Sequence, residues 1–77
     1  MRIVVTRAGD VYFQNRRTSG DLLPEQIRES LKNGAERKIY LAVDSRTRYV
    51  DVESVLDNIR TTNIREICLV AEKPNQH

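Results

Sequence analysis

Lys38-Ile-Tyr-Leu-Ala-Val-Asp44, followed by Ser45-Arg-Thr-Arg48 and Tyr49-Val-Asp-Val-Glu-Ser-Val-Leu-Asp-Asn-Ile-Arg60, sets two different apolar periodicities side by side. The first segment alternates, with Ile39, Leu41 and Val43 on one side and Tyr40, Ala42 and Asp44 on the other. A strand in a half-buried sheet is expected from that period of two. From about Arg48 to Thr62 the period changes: Val52, Val55, Leu56 and Ile59 recur at i, i+3, i+4 and i+7, the stripe of a helix resting on a core. Thr47 is a candidate cap, Asp51 and Glu53 sit near the positive end of the helix dipole, and Arg60 sits near the negative end. Asn63 can take the left-handed ending, and Ile64 to Ala71 then forms a closing strand. A connection this long returns parallel to the first strand, so the whole is a βαβ unit.

Working outward, Arg2 to Thr6 and Val11 to Gln14 read as a hairpin. Both runs are rich in β-branched and aromatic residues, and Ala8-Gly9-Asp10 supplies the glycine a tight turn requires. Asn15 to Gly20 is a polar break. Asp21 is placed to cap a helix over Leu22 to Asn33, with Pro24 in its first turn, Leu23, Ile27 and Leu31 on its apolar stripe, and Gly34 as its stop. Lys73 to His77 is a polar tail. The expected architecture is an α+β, two-layer domain in the order ββαβαβ, with a mixed sheet and both helices on one face, filling residues 1–77.

Size and charge narrow the functional classes. Seventy-seven residues form a core too small for a deep substrate cavity, since such a chain buries only roughly 60 to 65% of its extended surface. Thirteen Lys and Arg against eleven Asp and Glu leave a formal charge of +2, too balanced for a dedicated nucleic-acid or membrane-surface binder. One cysteine excludes an internal disulfide, and Cys68, between Ile67 and Leu69, is expected to be a packed small side chain. No apolar run reaches the roughly 18 to 20 residues of a membrane span, and Met1-Arg2 followed at once by strand pattern is no signal peptide.

Order and spacing point to a family. Val4-Val5-Thr6, Gly9-Asp10-Val11-Tyr12, Leu23-Pro24, Tyr40 to Asp44, Tyr49, Val55-Leu56-Asp57, Asn63-Ile64 and Ile67 to Val70 resemble the periplasmic domain of the ExbD/TolR biopolymer-transport proteins. Arg48 and Val50 flank Tyr49 where the family often has Pro and Gly, and Asn63 stands for a usual Gly. The resemblance implies a component of a proton-driven motor rather than an enzyme. It implies the periplasmic domain of a single-pass inner-membrane protein, anchored by a helix outside this chain that carries the proton-accepting Asp. It further implies an ExbB/TolQ-like membrane subunit and a TonB/TolA-like periplasm-spanning protein as partners, self-association as a homodimer, and a contact with peptidoglycan as an open possibility. The exposed last strand or the hairpin edge is the expected place for an added strand, from a second copy or from an extended partner segment. No cofactor, metal or nucleic acid belongs to it.

The residues themselves offer little chemistry. The single histidine is terminal, and no nucleophile-base pair, glycine-rich phosphate loop or metal-ligand spacing is present. Asp44 ends a strand where α/β folds place ligands, yet an acid there also accepts backbone N–H bonds from its own turn, which is the favoured role. Tyr49 is expected to cover the core edge with its hydroxyl in water. Arg46 and Arg48, with Arg16 and Arg17 on another loop, form either an anion patch or a solvated surface. Asp44, Arg46, Arg48 and Tyr49 are therefore candidates for partner contact, and none is a candidate for catalysis. The competing reading is a stand-alone intracellular α/β domain binding RNA or a small anion, although Tyr12, Phe13 and Tyr40 do not form an RNA-stacking pattern.

Overall fold

A computed structural model describes residues 1–72 of the chain. Five strands form one mixed sheet: β1 (Arg2–Val5), β2 (Val11–Phe13), β3 (Arg16–Thr18), β4 (Lys38–Asp44) and β5 (Glu66–Glu72), in the spatial order β3-β2-β1-β4-β5. β1 pairs antiparallel with β2 and parallel with β4, while β5 lies parallel to β4 along all seven residues. Two helices, α1 (Leu23–Lys32) and α2 (Tyr49–Arg60), complete the domain. The α+β class and the mixed sheet are as the sequence led us to expect. The polar tail and His77 lie outside the described residues.

One strand was not anticipated. β3 falls inside the polar break, and its residues pair with β2 as Phe13 with Arg16, Tyr12 with Arg17 and Val11 with Thr18. The turn is built on Gln14 and Asn15, both in the left-handed region at φ 51° and 70°, the backbone that matches strand twist in a two-residue hairpin. Gln14 also donates its N–H to the Arg2 carbonyl and accepts the Arg2 N–H on its own side-chain oxygen, at 3.0 and 3.1 Å. Backbone pairing makes this strand. Three polar side chains carry no alternation by which a sequence could announce it.

The core lies between the sheet and the helices. Ile3, Leu23, Ile27, Ile39, Leu41 and Ile59 are fully buried, and Val5, Val11, Phe13, Val43, Val55 and Ile64 join them. The stripes foreseen on both helices supply their share, with Leu31, Val52 and Leu56 packed at the margin. At about 25 cal/mol per Å² of apolar area removed from water, such clusters are the main favourable contribution to folding.

Helix ends depart from expectation in two places. Asp21 does not cap α1: it belongs to a 3-10 turn over Gly20–Leu22, and Leu22 occupies the cap position without a side-chain bond. Thr47 does not cap α2 either, because Arg48 holds that position in extended backbone. The C-terminal stops behave as expected, with Gly34 at φ 92° and Asn63 at φ 64°. β5 begins later than foreseen, at Glu66, since Ile64 turns inward to plug the core, where it is 3% exposed.

Candidate docking surface

The C-terminal ends of the parallel strands meet the start of α2, and this corner holds all four candidate residues. Asp44 Oδ1 accepts the Arg46 backbone N–H at 2.8 Å and Arg46 Nε at 3.1 Å, while Oδ2 accepts Arg46 Nη2 at 3.1 Å. The carboxylate closes its own turn, and the fork of the guanidinium grips both oxygens. Held by Arg46, first by its side chain and then by its backbone N–H, Asp44 lies below its ordinary carboxylate value. The same pairing raises the Arg46 guanidinium.

A second loop is fastened to this corner. Thr47 Oγ1 donates to the Thr6 carbonyl at 3.0 Å, a bond between positions 41 apart in the chain. Gly9 follows in the hairpin turn at φ 90°, and a Cβ there would approach Asp51 Oδ2 to 2.9 Å. The first turn of α2 and the β1–β2 turn therefore touch closely enough to exclude a side chain.

Tyr49 departs from its expected role. It is 76% exposed, and Val50 beside it is 65% exposed, so neither shields the core. The Glu53 carboxylate, one helical turn on, raises the Tyr49 phenol above its ordinary value. The corner thus presents Arg48, Tyr49 and Val50 to solvent together. Arg17 does not join them: it bonds Asp10 at 3.1 Å from β3, at the far side of the sheet. Arg46 and Arg17 thus make two separate local ion pairs, with Asp44 and Asp10, and water screens exposed pairs of this kind so that they add little to stability.

β5 is the last strand whose edge the sequence offered for an added strand, and it also exposes two residues, Leu69 and Val70, that were not among the candidates. As the outermost strand beyond β4, it leaves one edge of its backbone unpaired. Leu69 is 56% exposed on the helix side and Val70 is 45% exposed on the opposite side. Cys68 is likewise exposed, a correction to its expected packing, because the side of the sheet it faces carries no helix. A signal was available: Ile67 to Ala71 is apolar at every position, and a two-layer domain can cover only one of the two faces.

Among the described residues, no helix is long and apolar enough to cross a membrane, and no group of His, Cys, Asp or Glu is placed to hold a metal ion. A family model described as biopolymer transport protein ExbD/TolR matches residues 1–73. The chain belongs to the ExbD/TolR family. No curated relative matches it. Membership agrees with a surface that offers edges and exposed apolar side chains, and it links this ExbD/TolR chain to biopolymer transport, the work of a transport-associated family rather than an enzyme family.

Proposed function

We propose that this chain is the periplasmic domain of an ExbD/TolR-like subunit in a complex driven by the proton-motive force. Its task is to associate with itself and to hold an extended segment of a TonB/TolA-like protein, while an ExbB/TolQ-like subunit serves as its membrane partner. The observation that carries this reading is the free edge of β5, a seven-residue strand with exposed Leu69 and Val70. An edge of that length accepts an added strand through main-chain hydrogen bonds, with alternate side chains setting specificity. Arg48, Tyr49 and Val50 at the start of α2 are the second contact. The proton-carrying group belongs to a membrane segment, so no residue here has a catalytic role.

The test is hydrogen exchange on the isotope-labelled chain, with and without the periplasmic part of a TonB/TolA-like protein. Slowed exchange confined to β5, together with shifts at Tyr49 and Val50, is the expected result. Unchanged exchange in β5 at saturating partner would overturn the assignment.

A further inference from the structure

β5 offers its free edge in one phase only. The Ser45 N–H donates to the Glu72 carbonyl at 2.9 Å, and main-chain groups point to alternate sides along a strand, so Glu66, Cys68, Val70 and Glu72 turn theirs toward β4. Ile67, Leu69 and Ala71 therefore turn their N–H and C=O groups outward. Their side chains also share one side of the sheet, since their register partners are Ile39, Leu41 and Val43, all in the core. The edge bonds to an added chain only through residues whose side chains lie on the helix side.

α2 forms a wall above that edge. Asp51 and Asn58, seven positions apart, lie against Gly9 and Gly20, on the flank of the helix turned toward the hairpin and the 3-10 turn. At 3.6 residues per turn, Tyr49 and Leu56 stand on the opposite flank, the one that overlooks β5. Leu56 packs at the core margin, while Tyr49 and, on the strand below, Leu69 remain largely exposed. Glu53 and Arg60 fall on the same flank and rim the seat with one charge of each sign. Cys68 and Val70, by contrast, belong to the open side of the sheet.

Direction follows from placing two demands on the same residues. In an antiparallel pair, the residue opposite Leu69 exchanges both main-chain bonds with it and sets its own side chain beside Leu69, below Tyr49 and Leu56. In a parallel pair, the bonding residues of the added chain would stand opposite Cys68 and Val70, with their side chains on the open side, and the slanted bonds are slightly less stable. We infer that the β5 edge selects an extended segment, laid antiparallel, with large apolar side chains at every second residue, those bonded to Ile67, Leu69 and Ala71. The residues between them turn their main-chain groups to solvent, where proline, lacking an N–H, is accepted as readily as a polar residue. This rests on the edge docking proposed above and names the sequence chemistry that the edge reads.

The experiment titrates capped synthetic peptides into the isotope-labelled 77-residue chain and follows its amide chemical shifts. The parent probe is Lys-Thr-Val-Thr-Leu-Thr-Val-Thr-Lys, whose residue pattern is the same from either end. Shifts at Ile67, Leu69 and Ala71 are expected. Proline in place of the two threonines beside the leucine should change Kd by less than about three-fold, whereas N-methylation of the leucine should weaken binding at least about ten-fold. Leu69→Lys should weaken the parent probe at least about ten-fold, and Val70→Lys, on the other side of the same strand, by less than about three-fold. Both sites are exposed, and unchanged spectral dispersion reports that the fold is intact. If the proline and N-methyl peptides behave in reverse, or Val70→Lys weakens binding as much as Leu69→Lys, the selection rule is overturned and the edge still stands as the docking place. No shift along β5 at millimolar probe would overturn both.

Discussion

The hydroxyl of Thr47 reaches across the top of the sheet to the carbonyl of Thr6, binding the β4–α2 turn to the β1–β2 turn at 3.0 Å. The bond is partly buried, and it is the direct side-chain link between the hairpin and the βαβ unit at this end of the domain. Replacing Thr47 with Val keeps the shape and removes this bond, leaving the Thr6 carbonyl with the Gly9 N–H alone. The expected cost is about 1 kcal/mol, or roughly 4 to 8 °C in Tm for a domain of this size. Thr47→Ser should restore most of it, as thermal unfolding followed by circular dichroism would report.

Leu41 and Leu69 are register partners on neighbouring strands, yet the first is fully buried and the second is 56% exposed. Leu41→Ala should cost about 2 to 5 kcal/mol, since it leaves a cavity among Ile3, Ile39 and the helices. Leu69→Ala should change stability by less than about 1 kcal/mol. Urea denaturation of the two variants checks the contrast, and equal losses would mean that α2 covers β5 more fully than the structure places it.

Gly9 and Gly34 both hold positive φ, at 90° and 92°, but only Gly9 has Asp51 against the space a Cβ would fill. Gly34→Ala should carry the backbone cost alone, about 1 to 2 kcal/mol. Gly9→Ala should cost more. Adding Asp51→Ala to it should bring the loss back toward that of Gly34→Ala, a coupling that a double-mutant cycle in denaturant measures.

Asp44 titrates below its ordinary value of 3.8 because Arg46 holds its charged form. A carboxylate depressed by folding contributes stability that is fully present above its unfolded pKa and is lost as pH falls through the folded one. The wild type should therefore be more stable than Asp44→Asn near neutral pH and lose that advantage as pH falls below about 4. The two unfolding curves, compared from neutral pH downward, should converge at the acid end.

The reach of sequence reasoning differed from one element to the next. β4, α1 and α2 were legible because their apolar residues repeat at the period of the element, and burial then holds them in that element. β3 was not legible, since Arg16, Arg17 and Thr18 have no hydrophobic side to align and owe their strand to hydrogen bonds with β2. Asp44 was read correctly as closing its own turn, a local bond two residues long. Thr47 was misread as a cap because its true acceptor lies on a loop 41 positions away. Tyr49 and Cys68 were misread for a shared reason: exposure depends on whether another layer lies above a residue, and periodicity is silent about that.

What the amino-acid order determined alone was the βαβ unit, the two helical stripes, the left-handed stops at Gly34 and Asn63, and the marks by which the ExbD/TolR family is recognised. Each rests on interactions within a few residues, or on a pattern that any packed core would select. The tertiary structure alone decided that β1 sits at the centre of the sheet, that β3 extends the hairpin, and that Tyr12, Val4, Ala42 and Val70 line up across strands distant in the chain. Those facts come from strand register. Register is settled when β1, β2 and β4 bury their inner rows together, and the outward rows follow from it.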